Sequence, residues 1–93
     1  MEKLTNNFYV VSCNVIDDSF GMDNICKSLD ECYDYIDEVF NSTKNQNIKY
    51  VFEIFEYYLS NDELKNNDYS VDSFFDNIDE YSKNYLIVDM FIK

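Results

Sequence analysis

The reactive groups of this sequence are 19 carboxylates and three thiols, Cys13, Cys26 and Cys32; histidine and arginine are absent. Without histidine there is no imidazole to serve as general base or metal ligand, which excludes His-based Ser or Cys triads and mixed Cys/His zinc sites. The cysteines stand 13 and 6 residues apart and form no CxxC pair. A single glycine, Gly21, rules out a glycine-rich phosphate loop, and the lack of arginine removes the bidentate phosphate clamp. The acidic stretch Asp17-Asp18-Ser19-Phe20-Gly21-Met22-Asp23 resembles a calcium loop only in composition. An EF-hand needs Gly at its sixth position and Glu at its twelfth. Counted from Asp17 these are Met22 and Ser28, and from Asp18 they are Asp23 and Leu29. The stretch reads as an acidic turn, with Gly21 available for positive φ. No catalytic, cofactor-binding or metal-binding residue is expected.

The carboxylates are ordered all the same. Asp30, Asp34 and Asp37/Glu38 recur at i, i+4 and i+7/i+8, and Asp72, Asp76 and Asp79/Glu80 repeat the pattern. On a helix that spacing places successive charges about 6 Å apart along the axis. Like charges so placed disfavour a helix by a few tenths of a kcal/mol per pair. A helix selected for stability alone would interleave lysine. Yet no lysine lies between Lys27 and Lys44, or between Lys65 and Lys83.

Two amphipathic helices must carry these rows. Ser28 and Glu31 form a capping box ahead of Leu29, Cys32, Tyr33, Ile36, Val39 and Phe40, which follow helical spacing into a polar loop over 41–47. Ser70 caps a second helix whose apolar face is Val71, Phe74, Phe75, Ile78 and Tyr81. A further capping box, Ser60 to Glu63, starts one helical turn. Strands are expected over Phe8–Ile16, Met22–Lys27, Ile48–Leu59 and Tyr85–Ile92. The third carries apolar residues on both faces and is read as central; its Phe55 and Tyr57 are either core or anchors for a partner. Leu86, Val88, Met90 and Ile92 are expected on the core face of the last strand. The order predicts an α+β two-layer sandwich: a small, mostly antiparallel sheet of three to four strands with both helices on one face.

At 93 residues the chain fits a single domain spanning 1–93. Eight Phe and nine Tyr separate it from disordered acidic chains. The net charge of −12 exceeds what solubility requires of a small domain. An A/T-rich coding bias explains many Asn, Ile, Tyr and Phe, but it would also enrich lysine, of which there are only seven. So negative a surface repels nucleic acid and suits a basic protein partner. An odd cysteine count and the absence of a signal-peptide pattern or a long apolar run lead to the expectation of a reducing, bacterial cytosolic location, away from membranes.

Small size, acidity, missing catalytic residues and the paired rows Asp30/Asp34/Asp37/Glu38 and Asp72/Asp76/Asp79/Glu80 resemble the small phage-encoded anti-CRISPR proteins, some of which mimic DNA. The resemblance is compositional and rests on no shared motif. It implies a non-enzymatic inhibitor whose partner is a Cas effector or other nuclease, with the two rows as the partner-binding surface. An immunity protein or antitoxin neutralising a nuclease toxin fits the same features. A small phage structural or assembly protein is the third reading; it predicts self-association through a strand edge or an apolar patch.

Overall fold

The computed structural model describes residues 3–16, 21–43, 49–81 and 83–92. Strands β1 (Asn7–Val15), β2 (Gly21–Cys26), β3 (Tyr50–Tyr58) and β4 (Tyr85–Ile92) form one antiparallel sheet in the order β2-β1-β3-β4. Helix α1 (Leu29–Thr43) follows β2. Between β3 and β4 come α2 (Asn61–Asn66), α3 (Val71–Asp76) and a 3-10 turn, Ile78–Tyr81. The class is α+β, as expected.

The layering departs from the expectation that both helical segments share one face. In a strand, neighbouring side chains point to opposite faces. Val11 and Cys13 of β1, with Phe52 and Ile54 of β3, pack against Cys32 and Ile36 of α1. Phe8 and Val10 of β1, with Tyr57 of β3, pack against Leu64, Phe74 and Tyr81. Phe8 and Val10 alternate with Val11 and Cys13, so α1 covers one face and the α2–α3 segment the other. The physical reason is that β1 and β3 are apolar on both sides. One helical layer leaves one of those sides wet, so the chain spends one helical segment on each.

The local signals behave as chemistry dictates. Ser28 Oγ accepts the Glu31 amide at 3.2 Å, while the Glu31 carboxylate accepts the Lys27 amide at 2.8 Å, one residue earlier than a capping box requires. The Ser60–Glu63 box closes in both directions, at 2.9 and 3.2 Å. Ser70 caps α3 through the Ser73 amide. That helix stops at Asp76: Asn77 leaves helical geometry at φ −113° and ψ 17°, its side chain also donating to the Ser73 carbonyl at 3.0 Å, and the remaining apolar positions continue as the 3-10 turn. Gly21 is extended and not at positive φ. It faces Asn14 across the ladder, and a Cβ there would stand 2.5 Å from Asn14 Oδ1. That atom is the end of an exposed side chain, so neither a turn conformation nor a backbone approach calls for glycine here. Residues 17–20 of the acidic stretch lie outside the described residues.

The last strand corrects the sequence reading. Leu86, Val88, Met90 and Ile92 are 70, 41, 62 and 63% exposed, and Ile87 is 59% exposed. β4 is an edge strand. A register shift between Ile54 and Phe55 makes Val88 an extra, bulged residue, which reverses the facing of the strand beyond it. The alternation of Leu86, Val88, Met90 and Ile92 therefore does not correspond to one face.

Candidate partner interface

Helix α1 presents Asp30, Asp34, Asp37 and Glu38 to solvent, all exposed, over about 12 Å of helix. Its opposite face is anchored by Cys32 and Ile36, buried against β1 and β3. Tyr33, assigned by spacing to the apolar stripe, is partly exposed and donates its hydroxyl to Asp89 Oδ2 at 2.9 Å, tying α1 to the edge strand. That carboxylate raises the Tyr33 pKa, because the hydrogen bond holds the phenol proton.

The second row is divided. Asp72 and Asp76 lie on α3, and Asp79 and Glu80 on the 3-10 turn; all four are exposed. The expectation of two parallel rows on adjacent helices is overturned. The sheet stands between them, because α1 and α3 cover opposite faces. Asp30, Asp34, Asp37 and Glu38 make one surface, while Asp72, Asp76, Asp79 and Glu80 belong to another.

Tyr57 belongs to the core, and Phe55 is half-buried beside it. Tyr57 is 4% exposed; it stacks on Phe8 with ring centres 5.6 Å apart and meets Phe74 edge-on at 5.1 Å. Phe55 is half-buried and edge-to-face with Tyr85 at 5.1 Å. These rings floor a cleft of about 240 Å³ that sequence reasoning missed, lined by Val10, Ser12, Asp23, Phe55, Tyr57, Ile78, Asp79 and Tyr85. Cross-strand register puts Val10, Ser12, Asp23, Phe55, Tyr57 and Tyr85 on one sheet face. Ile78 and Asp79 overhang it from the 3-10 turn. Burial, then Tyr85, Asp23 and Asp79 nearby, push the Tyr57 hydroxyl up to about 12. The only sequence signal was alternation, which gives a strand's face but not the neighbouring strands that complete it.

No protein-family model, curated protein or solved structure matches the chain. Among the described residues no group of three or more Cys, Asp or Glu could hold a metal ion, and no helix is long and apolar enough to cross a membrane. The three cysteines form no disulfide and are all buried. Burial, reinforced by Cys26, raises Cys32 to about 12, so its thiolate is scarce at neutral pH and it is a poor nucleophile.

Proposed function

We propose that this chain is a non-enzymatic acidic inhibitor that binds a basic, nucleic-acid-handling protein, in the manner of an anti-CRISPR protein blocking a Cas effector. The observation that carries this reading is the outer face of α1: four exposed carboxylates with no lysine between Lys27 and Lys44, and like charges set four residues apart along the helix. With the two rows on opposite faces, protein-surface contact through α1 is favoured over imitation of a duplex by both rows. Such a face steers a basic partner and yields fast, salt-sensitive association.

The test adds the purified chain to a panel of guide-loaded Cas effectors and nuclease toxins and follows DNA cleavage at rising salt. Near-stoichiometric inhibition, weakening as salt rises, supports the reading; inhibition confined to a toxin makes the chain an immunity protein. Full inhibition by the triple variant D30K/D34K/D37K removes α1 from the interface.

A self-assembling phage structural protein is a second reading, and β4 is the observation in its favour. Its outer edge pairs with no strand among the described residues, and five of its apolar side chains are exposed. Sedimentation at low and high protein concentration tests this. A monomer throughout ends the assembly reading.

A further inference from the structure

We propose that the cleft between the sheet and the 3-10 turn receives the cationic head of a lysine or arginine side chain supplied by the partner. This deepens the reading above by naming the chemistry of one contact. Three features of the cleft converge on a cation. Asp23 and Asp79 enter from opposite walls, one from β2 and one from the 3-10 turn, and neither forms an ion pair among the described residues. The Tyr57 side chain, more than nine-tenths buried, opens its hydroxyl onto the cleft and makes no hydrogen bond among the described residues. That hydroxyl lies within the field of both carboxylates, whose effect is to hold its proton on. Finally, Phe55 and Tyr85 are half-buried and place aromatic rings beside the charge.

The alternatives fit less well. An anion would face two carboxylates. A neutral apolar group would leave the Tyr57 hydroxyl and both carboxylates without partners. A bare divalent ion is poorly served by two exposed carboxylates and aromatic walls. Size agrees as well: about 240 Å³ is below the range of sites for drug-sized ligands and matches a side-chain head.

The test titrates the isotope-labelled chain with N-acetyl-lysine methylamide, N-acetyl-arginine methylamide, n-butylammonium and the neutral N-acetyl-norleucine methylamide, read by NMR. The expected result is saturable shifts at Phe55, Tyr57, Ile78 and Tyr85 with the lysine or arginine amide, and none with norleucine. The D23N/D79N variant should bind roughly tenfold more weakly. Tyr57→Phe, which keeps the ring packing, should also weaken binding. Equal shifts from norleucine, or unchanged affinity in D23N/D79N, overturn the proposal. Tighter binding of n-butylammonium than of either amide overturns the side-chain source in favour of a free amine. These measurements use the chain alone. Binding of the amides without inhibition of any effector or toxin therefore sinks only the broader reading. Inhibition undiminished in D23N/D79N, with no amide bound, sinks only the cleft.

Discussion

At the residue scale, the groups that matter most are buried polar ones. Asn67 is 1% exposed. Its Nδ2 donates to the Glu63 carbonyl at 2.8 Å and to the Tyr81 hydroxyl. It thereby pins the left-handed pair Asp68 and Tyr69, at φ 52° and 55°, which turns the chain from α2 toward α3. Left-handed backbone costs about 1–2 kcal/mol per non-glycine residue, so the turn needs such a clamp. Asn67→Ala should destabilise the fold by about 2 kcal/mol in denaturant titration, through lost hydrogen bonds and a buried Tyr81 hydroxyl left without its partner. The buried thiols and phenol set the alkaline limit. Cys32 ionises near 12 in the fold, against 9.0 for an ordinary thiol, and Tyr57 near 12 against 10.0. Both pKa values are raised, so their contribution is intact below pH 9 and is lost as pH climbs toward 12. The thermal midpoint should fall across that window. Cys32→Ala should flatten the early part of the fall, and an unchanged slope would place the alkaline loss elsewhere.

At the element scale, short helices depend on their ends. α2 has six residues, too few to stand alone, and its start is held by the reciprocal Ser60–Glu63 box. The Ser60 amide, foremost, and Asn84 hold the Glu63 carboxyl below its usual range. Ser60→Ala should cost about 1 kcal/mol. The Glu63 contribution is present above the ordinary carboxylate pKa and is lost as pH falls through the lowered one. α1 offers the opposite case. Asp34 sits four residues from both Asp30 and Glu38, so Asp34→Lys converts two repulsive pairs into attractive ones. It should stabilise the domain by about 0.5–1 kcal/mol, read from the thermal midpoint, while weakening partner binding. A gain in stability with no loss of binding would make the row a solvated face only. The caps and helical periodicities were legible in the sequence because they are local. The break at Asn77 was not, because the apolar spacing runs on through it to Ile78 and Tyr81 while the backbone leaves the helix.

At the scale of the whole molecule, the fold consists of two half-cores on opposite faces of one sheet, extending over 44 × 25 × 24 Å. Neither face of the sheet is covered along its whole length, and this is why β4 and the cleft remain open. A net charge of −12 over so small a body is self-repulsive. Adding salt screens that repulsion, so the thermal midpoint should rise with sodium chloride by several degrees, at roughly 4–8 °C per kcal/mol for a domain of this size. A falling midpoint would mean that ion pairs outweigh the repulsion.

What the sequence by itself determined follows from local periodicity and composition. Ser28, Ser60 and Ser70 mark helix starts, β-branched and aromatic runs mark the strands, and the absence of histidine and arginine narrows the chemistry. These signals need only a residue and its near neighbours. The tertiary structure alone decided which faces meet. The residues of α1 and α3 look alike in one dimension, yet the sheet separates them, because β1 and β3 each bury both sides. The strand from Tyr85 to Ile92 reads as core, yet it lies at the edge, because exposure depends on the strand beside it and not on the strand itself. Asp23 and Asp79 are 56 positions apart in the chain. They line one cleft with Tyr57 only because the 3-10 turn folds onto the sheet face to which β2 turns Asp23.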